Sequence, residues 1–190
     1  MSGVIAALNC DHANIAKILE LLESEILAIE VGKTPDYSLL RDIMCYMTQF
    51  PDRLHHPKEN LIFAKVLERE PGTRAEIETL LEEHISISKA GQNFDSLLRI
   101  SKIDSVKARE GLRTGGSAYI RTVREHMAKE ERTIFTLAAD IFTEEDWQAI
   151  EEAVDAIEDP LFGAVIAKGY ERLYRLITDE EVTYETSNSR

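Results

Sequence analysis

No apolar run in the sequence approaches the ~20 residues needed to cross a bilayer, so no membrane partner is expected. Met1 to Asp11 lacks a basic start and its apolar run is too short for a secretory signal, which makes a cytoplasmic location the expectation. Cysteine is scarce. Cys10 and Cys45 are the only two, too few for a disulfide framework and not spaced as a metal-binding pair, and both read as reduced packing thiols. Basic residues are outnumbered, 22 against 35 acidic, and the resulting formal charge of −13 disfavours any phosphate-backbone partner, so no nucleic acid is expected. The sequence also lacks a Ser-His-Asp arrangement, a glycine loop for phosphate and a basic aromatic strip. What is there is a chain of 190 residues, 44% apolar and 30% charged, with five histidines whose placement carries most of the functional information.

Apolar residues recur at three- and four-residue steps almost throughout, and no alternating strand pattern stands out, so the fold class is all-α. A first helix runs from about Cys10 to Val31 and stops at Gly32-Lys33-Thr34-Pro35. A second runs from Asp36 to Glu70, kinked by Pro51 and Pro57. Thr73 can cap a third, with Glu76 in the capping-box position, reaching Leu98. Asp104 is a candidate cap for a fourth helix to about Ile141, although Gly111, Gly115 and Gly116 weaken its first half. Thr143 to Asp146 signals a short helix to about Ile157, and after Asp159-Pro160 another spans Phe162 to Ile177. The expected architecture is an up-down-up-down four-helix bundle over residues 1–142, a C-terminal helical extension over 143–177 packed on it, and a polar, frayed tail over 178–190.

The inward stripe of each long helix contains a histidine where an aliphatic residue would be expected. The first reads Leu8, His12, Ile15, Leu19; the second Met47, Pro51, His55, Glu59, Ile62; the third Ile77, Leu80, His84, Ile87; the fourth Val123, His126, Glu130, Ile134. In the second and fourth helices a glutamate follows four residues later, which stacks imidazole and carboxylate on one face about 6 Å apart. Two inward carboxylates need compensation, because an unpartnered buried charge costs several kcal/mol or more. Lys58 and Lys129 do not supply it from their own helices, since each is rotated about 100° from the glutamate that follows it.

Residues in adjacent antiparallel helices lie side by side when they are equally far from the connecting turn. The midpoint of His12 and His55 falls within Gly32 to Pro35, that of His55 and His84 beside Pro71-Gly72, and that of His84 and His126 at Asp104-Ser105. All four rings are therefore expected at one height. Four neutral nitrogens from His12, His55, His84 and His126, with carboxylates from Glu59 and Glu130, form a natural set for two metal ions, two histidines on each and the glutamates bridging. Nitrogen and oxygen donors without thiolates suit iron, manganese or zinc.

These segments resemble the hemerythrin-like, or HHE cation-binding, family from Asp11-His12 through Asp140. The resemblance is carried by His55-His56-Pro57-Lys58-Glu59, by Glu83-His84 and by His126-Met127-Ala128-Lys129-Glu130-Glu131. It implies a non-haem, carboxylate-bridged centre of two iron ions in a four-helix bundle, with the four histidines as terminal ligands and Glu59 and Glu130 as bridges. Two departures bear on function. Oxygen-carrying members have a fifth terminal histidine one turn from the third-helix ligand, but Leu80 and Ser88 occupy the positions four away from His84, which argues against reversible oxygen transport in the strict sense. Asn60 stands where many relatives have a second glutamate. The cysteine-bearing N-terminal segment of the di-iron repair proteins is not seen.

The expected function is binding of O2, NO or a peroxide-level ligand for sensing, storage or detoxification. The alternatives are a di-iron oxidase or peroxidase with an external redox partner, and a metal-free helical interaction module held by an internal polar network. Binder and enzyme stay open at this point, as does oligomeric state. His12, near a helix start, could instead serve as a cap or an exposed residue. His56, rotated about 100° from His55, is assigned to the outer face or to a hydrogen bond behind the ligands, outside the ligand set. Tyr119 either donates a hydrogen bond near the centre or is a core tyrosine. Glu144, Glu145, Glu151 and Glu152 read as solvated surface, and Trp147 and Phe162 as anchors of the C-terminal cover.

Overall fold

A computed structural model describes residues 3–100, 106–154 and 158–178, and all regular structure among them is helical. Helix α1 spans Gly3–Glu30, beginning a full two turns before the expected start. It ends where Gly32 adopts φ 78°, a conformation that favours glycine. The Gly32 N–H then donates to Ile29 O and the Lys33 N–H to Ala28 O, closing the helix end. Asp36 starts α2, Tyr37–Met47, by accepting from the backbone N–H of Ser38 and Leu39.

The kink expected from Pro51 and Pro57 is a π turn, Pro51–His55, that joins α2 to α3, His56–Arg69. A 3-10 turn, Pro71–Thr73, leads into α4, Arg74–Ile100. The fourth long segment is α5, Val106–Glu130, and the proposed Asp104 cap lies outside the described residues. A second π turn, Glu131–Phe135, interrupts the expected continuous helix before α6, Thr136–Ile141. Each π turn adjoins a His-x-x-x-Glu motif, one ending at His55 and the other starting after Glu130.

Thr143 and Asp146 close a capping box at the start of α7, Glu144–Ala153. Its expected end near Ile157 falls outside the described residues, as does the tail beyond 178. The last helix among the described residues, α8, covers 171–178 and does not begin at the expected Phe162. The reason is local: Asp159 accepts from the backbone N–H of Leu161 and Phe162 and from the Tyr46 hydroxyl, and Gly169 takes φ 104°. Phe162 nonetheless packs on the core, as does Trp147.

Helix α5 packs against α1 and α4, α2 against α1 and α4, and α3 against α4, α6 and α7. The glycines of α5 do not break it. Gly116 instead permits close approach, because a Cβ there would stand 2.4 Å from Ile26 Cδ1 on α1.

The apolar core is divided. One cluster holds Ile15 to Ile29 of α1, most of α2, Ile87 and Phe94 of α4, Val123 and Met127 of α5, and Leu173 of α8. The other holds Leu8, Ile62, Phe63, Leu80, Ile134 and Ile150. Along each of four paths the chain crosses between them at a histidine: Leu8 to Ile15 past His12, Phe50 to Ile62 past His55, Leu80 to Ile87 past His84, Met127 to Ile134 beside His126. The polar residues thus form a layer sandwiched by hydrocarbon.

Cys10 and Cys45, expected to pack inside, are both free thiols on the exposed surface, with Cys45 near Gln49 and the Tyr170 hydroxyl. No helix among the described residues is long and apolar enough to cross a membrane.

Candidate metal centre

All six sequence-selected residues converge in this layer. His12, His55, His84 and His126 are 3 to 7% exposed, and Glu59 and Glu130 are fully buried. Glu59 Oε1 lies 3.0 Å from His55 Nε2 and 3.3 Å from His12 Nε2, while its Oε2 lies 3.3 Å from His84 Nε2. Glu130 Oε1 lies 3.1 Å from His126 Nε2 and 3.2 Å from His84 Nε2, and its Oε2 is 3.6 Å from His12 Nε2. Each carboxylate therefore touches imidazoles from three helical segments.

Of these contacts, that of His84 Nε2 with Glu130 Oε1 is a hydrogen bond; the others are not. Nε2 of His12 and His126, both oxygens of Glu59 and Oε2 of Glu130 are buried without a hydrogen-bond partner. Buried polar atoms left so cost about 1–3 kcal/mol each, and five in one layer demand a compensating species. Two donors held about 2.1 Å from one ion at a right angle stand roughly 3.0 Å apart, so these spacings fit donors facing a shared cation. The groups His12, His55, Glu59 and His84, His126, Glu130 could each hold a metal ion.

Behind the rings stands a set of carboxylates that sequence reading missed. Nδ1 of His55 lies 3.3 Å from Asp11, that of His126 2.9 Å from Glu83, and that of His12 2.8 Å from Glu131. A carboxylate against Nδ1 keeps the proton there and presents the Nε2 lone pair inward. Lys58 and Lys129 do not reach the buried glutamates, as expected; they bind Asp11 at 3.1 Å and Glu83 at 2.8 Å. The available signal was the acid-histidine pair Asp11-His12 and its counterpart Glu83-His84, each acid serving the histidine of the next helix.

Burial opposes charge on His55, but Glu59 and Asp11 outweigh it and push the ring up to about 10. Burial likewise opposes charge on His84, while Glu130 and Glu59 raise it to about 9. Burial would raise Glu59, yet His55, His12 and His84 hold its carboxyl well below the usual range.

A profile of the hemerythrin HHE cation-binding domain matches residues 3–138. The chain belongs to this family. Comparison with curated proteins and with solved structures gave no match. Hemerythrin-family domains bind metal cations, and this one has histidine and glutamate groups able to hold them.

Two further residues named from the sequence lie around the layer. Tyr119 is buried in the larger apolar cluster beside Gly91, where burial pushes its hydroxyl pKa up; this is the core alternative. His56, expected on the outer face or in a hydrogen bond behind the ligands, is only 9% exposed, stacks on His84 and meets Asp52. What buries its ring is α4, whose His84 lies against it. Beside these two rings an open groove of about 530 Å³ is lined by Asp52, His56, Asn60, His84, Ser88 and Gln92.

Proposed function

We propose that this chain is a non-haem di-iron protein that binds O2, NO or a peroxide-level ligand, in sensing, storage or detoxification. The observation that carries the reading is the convergence of five partnerless buried donor atoms, from Glu59, Glu130, His12 and His126, between two apolar clusters. In this reading His12 and His55 would hold one ion, His84 and His126 the other, and Glu59 and Glu130 would be shared between them. Iron is favoured over manganese and zinc, which also suit the donors. The bound ions would supply open coordination positions and electron transfer to a small ligand.

The chain's own residues prepare that chemistry. Asp11, Glu83 and Glu131 fix the ring orientations, and the two apolar clusters keep bulk water from the layer. The groove beside His56 and His84 is the route by which a small molecule reaches the layer. The scaffold is proposed to be an up-down-up-down bundle over 1–142, covered by 143–177, in a cytoplasmic protein.

As a second reading, the same open coordination positions would serve a peroxide-reducing enzyme supplied by an external electron donor. Anaerobic loading with Fe(II), iron counting and an optical spectrum before and after O2 test the first reading. Close to two irons per chain and new absorption on O2 addition are expected. Failure to bind iron, manganese or zinc would leave the metal-free interaction module. Catalytic loss of peroxide with a donor would select the enzyme.

A further inference from the structure

His56 carries the same marks as the rings assigned to the centre. Its Nδ1 stands 3.1 Å from Asp52 Oδ1, just as carboxylates stand against Nδ1 of His12, His55 and His126. Asp52 is itself fixed, since Ser88 Oγ donates to its Oδ2 at 2.7 Å. That anchoring leaves Nε2 of His56 as the free lone pair, the arrangement a metal-binding imidazole requires. A solvent-facing histidine has no need of it.

The ring also stands against the layer. The His56 ring lies 3.9 Å from the His84 ring, with 12° between their planes. Donor atoms of His56, Glu59 and His84 all lie within 4.8 Å of one another. Opposed donors at about 2.1 Å from one ion are separated by roughly 4.2 Å, so a side-chain contraction of at most about 0.6 Å brings all three onto one ion. Helix α4 offers no competing ligand one turn from His84: Leu80 is an aliphatic residue packed in the core, and Ser88 is committed to Asp52.

We propose that His56 is a fifth histidine ligand of the centre, on the same ion as His84 and His126. This rests on the di-iron reading above and makes the two ions inequivalent, with three imidazoles on one and two on the other. The three-imidazole ion is the one beside the groove.

The test uses the full chain loaded with ⁵⁷Fe(II), its His56→Ala variant and Asp52→Asn, which keeps the ring and removes its anchor. Iron release to a chelator and Mössbauer spectra are recorded. In His56→Ala, one of the two irons should leave at least tenfold faster than in the parent, and one of two Mössbauer signals should shift while the other stays. Asp52→Asn should weaken the same iron about tenfold, and it decides the matter if the alanine variant does not fold. Parent release rates and spectra in both variants would overturn the assignment, as would equal loss of both irons. A parent chain that binds no iron would instead overturn the di-iron reading itself.

Discussion

Asp11 precedes His12 in the chain, yet its carboxylate serves His55, 3.3 Å from Nδ1 on the neighbouring helix. Glu83, which precedes His84, serves His126 in the same way at 2.9 Å. Lys58 and Lys129, each directly before a buried glutamate, complete the two units. Burial would raise both acids, but His55 and Lys58 hold Asp11 below the usual carboxylate range, and Lys129 and His126 do the same for Glu83. They therefore stay ionised behind the rings.

Removing that support should weaken metal binding without removing a ligand. Asp11→Asn and Glu83→Gln should each lower affinity about 10–100-fold, measured by competition with a calibrated chelator. Parent affinity in both would show that the rings are oriented by packing alone.

Glu59→Gln and Glu130→Gln preserve side-chain volume and remove the buried charge. Each should reduce bound metal from near two ions per chain to one or fewer, by more than about 100-fold in affinity for the lost ion. Metal counting after gel filtration reads this directly, and two ions retained in both variants would eliminate the bridging role.

The histidine layer was legible because helical period alone sets which face a residue takes and turn midpoints set its height. His12, His55, His84, His126, Glu59 and Glu130 all followed from those two rules. His56 did not, because its burial comes from a ring contact with His84 on another helix, which helical period does not predict. Asp11, Glu83, Glu131 and Asp52 were invisible for another reason: an acid beside a stripe looks solvated in sequence, and only the fold shows which ring it meets. The exposed thiols of Cys10 and Cys45 show the limit of reading composition as burial.

Glycines on α5 should respond to substitution with opposite signs. Gly111 has open space where a Cβ would stand, so Gly111→Ala should stabilise by about 0.5–1 kcal/mol through helix propensity. Gly116→Ala drives its Cβ to 2.4 Å from Ile26 Cδ1 and 2.8 Å from Cγ1. Overpacking of about 1–3 kcal/mol should then outweigh the propensity gain. Denaturant melts of the two variants check the contrast, and equal shifts would mean that α1 and α5 have slack between them.

Metal binding and folding should depend on pH in opposite directions. In the metal-free chain, the raised value of His55, about 10 against 6.5, stabilises the fold fully below about pH 6.5 and loses that contribution as pH climbs toward 10. His84 behaves alike up to about 9, while the lowered Glu59 contributes above about pH 4.5 and ceases to on acidification. The metal-free protein should therefore be most stable between roughly pH 4.5 and 6.5 and decline on the alkaline side. A cation must displace the same protons from His55 and His84, so its affinity should rise with pH by roughly tenfold per unit for each proton released. The gap between loaded and metal-free melting temperatures should accordingly widen from pH 6.5 to 9, and acidification should release the metal. Thermal melts of both forms across that range are the check, and a gap independent of pH would show that protons and metal do not compete for these rings.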